Sequence, residues 1–385
     1  MGNMQEALAV MAKVNKEFGA DAIVVATDMA IPRRFTTGSV SLDVALGGGW
    51  PANQWNEVIG LESHGKTAVC LKTIAANQAL DPDFLTLWVA AEHYDLDQAE
   101  ALGVDSSRVI VLPTQEMEVA LEKMLDFVGS RAVDAVVLDS YPALIPAEEE
   151  GKGMDESVMA IGARLMGKFF RKAGKAGKRN LRDPYDAPFL GLIINQYRDA
   201  IGSFSPHGTP KTTPGGKAKN YGFYTRVEVR RDEFIEEARP GKGKVKVGQT
   251  IKVKTIKNKS NAPQQVASID FYFRDAPIKG FERGDYDTVK EIVVMGVLFD
   301  VIKQSGAWFS FENGEVDDKG KPRYRWQGAP AMSEYLRGDL NLQDEVTAAV
   351  MEAIANKDVE RVSAEDVEAA ENAGTKKVTR RTKAA

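Results

Sequence analysis

The sequence predicts an α/β fold: a mainly parallel sheet with helices on both faces, followed by a small α+β domain. Three observations carry that prediction. Short apolar runs at residues 84–91, 135–138 and 189–194 read as strands buried on both faces. They alternate with helical stretches at 67–80, 116–128 and 157–173, and such alternation requires the crossover connections of a parallel sheet. Between a strand at 55–59 and the helix at 67–80 lies Gly60-Leu61-Glu62-Ser63-His64-Gly65-Lys66-Thr67, a Gly-x4-Gly-Lys-Thr loop.

In chain order, Met4, Leu8, Met11, Val14 and Phe18 form one apolar stripe on a helix over 3–18, ended by Gly19. A lone helix of that size is marginal in water, so the stripe packs either on its own domain or on a neighbouring subunit. After the glycine loop and its helix come the strand at 84–91, a short helix at 96–102 and a strand at 108–112. The helix at 116–128 turns Val119, Leu121, Met124, Leu125 and Val128 inward. The next two strands end in Asp139-Ser140 and in Asn195-Gln196. Beyond residue 220 the pattern shifts to strands at 221–234, 249–257 and 266–273, expected to extend the same sheet antiparallel. Thr250, Lys252 and Lys254 alternate along one of them and give it a basic face. The smaller domain supplies a helix at 289–303, a strand at 307–311 and helices at 332–337 and 344–355. The end of the chain carries Lys376, Lys377, Arg380, Arg381 and Lys383 without an acid and reads as a disordered basic tail. The expected division is 1–34, an N-terminal helix and linker; 35–275, the core; 276–355, the small α+β domain; and 356–385, the tail.

Net charge is −5, so the molecule as a whole is not a basic nucleic-acid binder, and any such site comes from local clusters. The single cysteine, Cys70, has no intrachain disulfide partner and reads as a small buried thiol. No apolar run approaches the length of a membrane span, and the N-terminus lacks a basic start followed by an apolar core. A reducing, cytoplasmic setting is expected.

The glycine loop lets the backbone turn tightly and aim its N–H groups at a polyphosphate, with the following helix N-terminus adding its own attraction. Lys66 is placed to reach the β- and γ-phosphates, and the Thr67 hydroxyl to sit on Mg²⁺. Glu92 closes the strand after the loop, and ligands of such sheets bind outside the carboxyl ends of the strands. That position suits a base for a water attacking the γ-phosphate. Asp139, after Val136-Val137-Leu138, is an acid at a strand end that can hold Mg²⁺. The long segment 197–219 mixes Arg198, His207, Lys211, Lys217 and Lys219 with Ile201 and Phe204. Cations interleaved with apolar wedges suit a nucleic-acid backbone and its bases. Seven cations without an acid fill 168–182, either a solvated helix end or a phosphate-binding surface.

Over roughly residues 5–330 the chain resembles the RecA recombinase family, in the manner of a divergent or phage-encoded relative. The resemblance rests on Thr37-Gly38-Ser39-Val40-Ser41-Leu42-Asp43-Val44-Ala45-Leu46-Gly47, Glu62-Ser63-His64-Gly65-Lys66-Thr67 and Ala91-Glu92-His93. Val133-Asp134-Ala135-Val136-Val137-Leu138-Asp139-Ser140, Ile194-Asn195-Gln196, Thr212-Thr213-Pro214-Gly215-Gly216, Lys257-Asn258-Lys259 and Gly306-Ala307-Trp308 follow in the family's order.

The resemblance implies a RecA-type phosphate-loop NTPase core with an N-terminal oligomerisation helix, and an ATP- and Mg²⁺-dependent recombinase. Such a protein forms helical filaments on single-stranded DNA, pairs them with homologous duplex and exchanges strands in the bacterial cytoplasm, that of a phage-infected cell if the chain is phage-encoded. Glu92 matches the family's catalytic glutamate, and Gln196 the residue that senses the γ-phosphate and signals to the second DNA loop. Gly60, Glu62, Ser63, His64, Gly65, Lys66, Thr67 and Ala68 match its ATP-binding loop, with Thr67 and Asp139 at the metal. Asp97 and Tyr94 are candidate adenine contacts. Lys257 and Lys259 match lysines that complete the neighbouring protomer's site. Met159, Arg164, Arg171, Arg198, Ile201, Gly215, Gly216 and Lys217 fall on or beside DNA-contact positions. Departures are His64 for a serine, Ala68 for a threonine, Lys217 for an asparagine, an insertion at 175–187, and a basic tail where bacterial relatives are acidic. The competing expectations are a motor with the same core, such as a ring helicase or branch-processing paralogue, and a non-catalytic ATP-bound DNA-coating mediator.

Overall fold

The computed structural model describes residues 2–19, 21–150, 159–199, 211–318, 320–356 and 369–370. The chain opens with helix α1 (Met4–Phe18), strand β1 (Arg34–Phe35), α2 (Val40–Leu46), β2 (Trp50–Pro51), β3 (Gln54–Gly60) and α3 (Lys66–Leu80). Strand β4 (Thr86–Ala90), α4 (Leu96–Ala101), β5 (Val109–Pro113), α5 (Met117–Ser130), β6 (Ala135–Asp139), α6 (Ala147–Glu150), α7 (Met159–Ala176) and β7 (Leu190–Gln196) follow. A two-residue pair, β8 (Arg198–Asp199) and β9 (Lys211–Thr212), precedes α8 (Gly216–Gly222), β10 (Thr225–Arg239), β11 (Gly243–Asn258) and β12 (Val266–Tyr272). The chain closes with α9 (Thr288–Leu298), β13 (Ile302–Ser305), β14 (Trp308–Val316), β15 (Pro322–Gln327), α10 (Ala329–Gly338) and α11 (Leu340–Asn356).

The central sheet has eight strands in the order β12-β11-β10-β3-β7-β6-β4-β5. Pairing is parallel from β3 to β5 and antiparallel between β11 and β12. The expected α/β architecture is therefore present. Two compact units make up the chain: residues 1–37 with 49–227, and residues 38–48 with 228–385.

In the first unit, β4, β6 and β7 bury nearly every side chain, as strands covered on both faces must. One of its cores gathers Trp55, Val89, Met124, Val136, Phe169 and Phe189. Trp55 meets Phe169 edge-on at 4.9 Å and Phe189 at 5.6 Å, so β3, α7 and β7 share one aromatic joint. In the second unit, α9, α10 and α11 pack with β13–β15 around Val293, Phe309, Met332, Leu336, Val346 and Val350. Helix α2 joins this core through Val44.

Two expectations need correction. The helix expected over 289–303 stops at Leu298, and residues 302–305 are a strand. Asp300 takes a left-handed φ of 62°, and the Val301 N–H returns to the Gly296 carbonyl at 2.9 Å, which closes the helix. The strand expected from residue 221 begins at Thr225, because residues 216–222 form α8. His207 and residues 371–385, which hold the basic cluster of the tail, lie outside the described residues.

Candidate active site

Parallel pairing brings the carboxyl ends of four strands to one sheet edge. Gly60 of β3 pairs with Gln196 of β7, and Ala90 of β4 with Asp139 of β6. The loop that leaves β3 is bent by two left-handed residues, Ser63 (φ 57°) and Gly65 (φ 98°), before α3 starts at Lys66. Among the described residues no side chain caps α3, and an uncapped helix N-terminus is favourable for an anion. Glu62 and Ser63 are exposed, His64 is half-buried, and Ala68 is buried in α3.

Lys66 is only 7% exposed, and its ammonium donates to the Leu61 carbonyl at 2.7 Å. Burial lowers its pKa, while Asp139, Glu92 and Glu62 pull the other way. The Thr67 hydroxyl donates to Asp139 Oδ2 at 2.9 Å. Burial pushes Asp139 up to about 6, with the Thr67 hydrogen bond and Lys66 opposing and Glu92 adding to the rise. Burying a carboxylate is costly unless hydrogen bonds and positive charge offset its desolvation. A hydroxyl beside a carboxylate fits Mg²⁺, which takes few protein oxygens and completes its shell with phosphates and water.

Glu92 lies just beyond β4, and its N–H donates to the Asp139 carbonyl at 2.9 Å. Its Oε1 accepts from the Ser140 hydroxyl and lies 3.5 Å from Gln196 Nε2. Sequence reasoning missed Ser140. The signal was a hydroxyl directly after the acid that ends β6. Asp97 is exposed in the first turn of α4, whose cap is Asp95, accepting from the Gln98 N–H at 3.0 Å. The Tyr94 ring meets Trp88 edge-on at 5.5 Å, and His93 is exposed.

The candidate DNA residues of this unit lie on α7 and around α8. Arg164 and Arg171 are exposed on α7, with Arg164 paired to Glu148. Met159 opens α7, but its side chain, like the whole of Ile201, is outside the described residues. Arg198 is exposed on β8, facing Thr212 across the pair, and Lys217 is exposed on α8. Gly215 and Gly216 have φ of 104° and 69°, and a Cβ on Gly216 would come within 2.8 Å of the Ala163 Cβ on α7. Glycine is required there to bring α8 against α7.

Lys219 does not join the exposed cations expected of its segment. It is 1% exposed and ion-paired to the fully buried Glu57 at 2.7 Å. In the second unit, Lys257 lies near the end of β11 and Lys259 just past it, exposed.

The sequence model of the RecA N-terminal domain matches residues 5–277. Protein RecA of Macrococcus caseolyticus is 35% identical over 362 residues, covering 92% of each chain. Protein RecA of Staphylococcus aureus is 35% identical over 370 residues, covering 94% of this chain and 96% of its own. Protein RecA of Paenarthrobacter aurescens is 34% identical over 352 residues, covering 90% and 91%. With these matches over nearly its whole length, and with a phosphate loop, a hydroxyl–carboxylate pair and a glutamate gathered at one sheet edge, the chain belongs to the RecA family.

Proposed function

We propose that this protein is an ATP-dependent DNA recombinase that assembles as a helical filament on single-stranded DNA, pairs it with homologous duplex and exchanges strands, hydrolysing ATP in response to DNA. It works in the bacterial cytoplasm. The observation that supports this best is the meeting of Glu92, Ser140 and Gln196 beside the Thr67–Asp139 pair.

In this reading Lys66 exchanges the Leu61 carbonyl for the β- and γ-phosphates, and the N–H groups of residues 63–68 cradle them. Thr67 and Asp139 would hold Mg²⁺, which when bound neutralises charge developing on the phosphate oxygens. Glu92 accepts the proton of the attacking water, while the Ser140 hydroxyl fixes the orientation of its carboxylate. Gln196 reads the γ-phosphate from the neighbouring strand end. Asp97 lies on the adenine side, and Lys257 and Lys259 complete the site of an adjacent protomer. Arg164, Arg171, Arg198 and Lys217 hold the DNA backbone, Met159 and Ile201 wedge its bases, and Gly215–Gly216 shape the second loop. Helix α1 supports assembly: none of its residues is buried, and Met4, Leu8 and Phe18 are 65%, 40% and 67% exposed. An amphipathic helix left so open is suited to dock on another subunit.

The test is ATP turnover with and without single-stranded DNA, with negative-stain images under a slowly hydrolysed ATP analogue. DNA-stimulated turnover and filaments are expected, and Lys66→Ala abolishes both nucleotide binding and turnover. Rings without filaments would favour a motor, and tight ATP binding without turnover a coating protein.

A further inference from the structure

Among the described residues of the first unit, a deeply buried ion network lies outside the phosphate site. Glu57, in the middle of β3, is fully buried. Its Oε1 accepts from Lys219 Nζ at 2.7 Å and from Asn195 Nδ2 at 2.7 Å, and its Oε2 from Arg226 Nε at 2.5 Å. A carboxylate removed from water is costly unless it is hydrogen-bonded and paired with charge, and here three donors, two of them cationic, reach its two oxygens. The partners come from three different places. Asn195 precedes Gln196 on β7, Lys219 is on α8, and Arg226 is on β10.

Each partner also makes a second contact, and these converge. The Asn195 side-chain carbonyl accepts from the Gln196 N–H at 2.9 Å, while its amide reaches the Pro214 carbonyl at 3.1 Å. Lys219 Nζ donates to the Thr213 hydroxyl at 2.6 Å. Arg226 Nη2 lies 3.5 Å from the same hydroxyl. Thus Thr213 and Pro214, the residues that lead into Gly215–Gly216, hang from the three side chains that Glu57 holds. One of those side chains also binds the backbone of Gln196.

We propose that Glu57 is a positioning residue that links the strand bearing Gln196 to the second loop, with Lys219 and Asn195 as its two arms. The proposal rests on the reading of Gln196 as the γ-phosphate sensor and of the second loop as a DNA element. A shift of Gln196 toward a γ-phosphate pulls Asn195, which cannot move without loosening either Glu57 or Pro214. A buried network this tightly bonded would switch between discrete arrangements rather than deform continuously, as a coupling element requires. The loop then adopts one conformation with ATP and another without it.

The experiment compares Glu57→Gln, Lys219→Met and the double variant in the full chain. Turnover with and without single-stranded DNA, affinity for a fluorescent ATP analogue and urea midpoint are measured. Each single variant should lower the ratio of DNA-stimulated to basal turnover by about tenfold or more, the scale of coupling between contacting residues. Basal turnover and nucleotide affinity should stay within about twofold of the parent. The double variant should be no worse than the poorer single variant, since both remove one linkage. A purely structural role lowers urea midpoint, basal turnover and affinity together and leaves the ratio alone, which would overturn the proposal, as would additive losses. A readout on the unaltered protein decides the case where the variants do not fold. Amide exchange at residues 195–196 and 213–222 should slow on adding the ATP analogue without DNA, and no change there would sink the proposal. A parent that shows no DNA stimulation at all would instead overturn the recombinase reading, and the exchange measurement would still judge the linkage.

Discussion

Glu92 and Gln196 extend from strands separated in the sheet by β6, yet the Gln196 amide nitrogen comes to 3.5 Å from Glu92 Oε1. The same oxygen accepts the Ser140 hydroxyl. One oxygen of the carboxylate is thus contacted from two sides. Glu92→Gln keeps the size and the nucleotide loop but removes the proposed base. ATP binding and DNA coating should persist while turnover falls by roughly 10²-fold or more, the scale of a positioned general base. Ser140→Ala frees the carboxylate without removing it and should lower turnover less than Glu92→Gln does. Single-turnover hydrolysis checks both, and parental rates in Glu92→Gln would remove the glutamate from the mechanism.

DNA binding should weaken with salt, because each cation on a phosphate displaces counterions. Arg171 and Lys217 are exposed on α7 and α8, the helices that Gly216 allows to touch. Arg171→Ala and Lys217→Ala should each reduce the slope of log affinity against log salt by about 0.7. Ile201→Ala should weaken binding at unchanged slope, since a wedge acts on stacking. Lys219→Met should leave the slope intact, because that lysine is spent on Glu57. Fluorescence anisotropy over a salt series measures all four, and a slope lost in Lys219→Met but kept in the other two cation variants would reverse the assignment.

The strands and the phosphate loop were legible because their signals are local: apolar runs of strand length, and glycine, lysine and threonine at fixed spacing. The strand-end positions of Glu92, Asp139 and Gln196 followed from the topology. Lys219 was misread because a lysine in a glycine- and cation-rich stretch looks solvated, while its partner Glu57 lies 162 residues away. Helix α8 was invisible because it begins and ends in glycine and has weak propensity. Its glycines answer to packing instead, since a Cβ on Gly222 would come within 2.3 Å of the Phe170 ring. Helix α9 was drawn too long because the apolar pattern continues through Val301 and Ile302, and its closing residue is Asp300 rather than glycine.

The proposed trans site predicts complementation. Phosphoryl transfer builds charge on the γ-oxygens that one lysine and Mg²⁺ leave partly uncompensated, and NTPases often add a cation from outside. Lys257 and Lys259 stand two residues apart at one strand end, in the unit that does not contain Lys66. A Lys257→Ala/Lys259→Ala protein and a Lys66→Ala protein should each be inactive alone. Mixed on DNA, some protomers with intact Lys66 sit beside protomers with intact Lys257 and Lys259, so part of the turnover should return. Absence of recovery at every mixing ratio, with co-assembly shown independently, would place the lysines within their own subunit's chemistry or outside it.

The last prediction concerns stability. Glu291 on α9 is 3% exposed, and its Oε2 accepts from the Ser39 hydroxyl at 2.9 Å and the Ser41 N–H at 3.1 Å. Its Oε1 has no hydrogen-bond partner among the described residues. Burial raises its pKa to about 8 against the opposing pull of Ser41 and Ser39, with Asp43 and Asp287 adding to the rise. In the unfolded chain a glutamate titrates near about 4.3. The folded state therefore holds the proton more tightly. The contribution is fully present below the unfolded value, erodes as pH rises through the interval, and is lost above about 8. Within that window stability should fall by up to about 1.4 kcal/mol per pH unit from this group. Glu291→Gln imitates the protonated carboxyl: its carbonyl can accept both serine contacts and it has no charge to gain. Urea midpoints of the parent should decline from pH 5.5 to pH 8 more steeply than those of Glu291→Gln, with the variant overtaking the parent at the alkaline end. All other titrating groups are common to both proteins and cancel in the difference. Parallel lines would mean that Glu291 is ionised in the folded state throughout, stabilised by its two donors despite its burial.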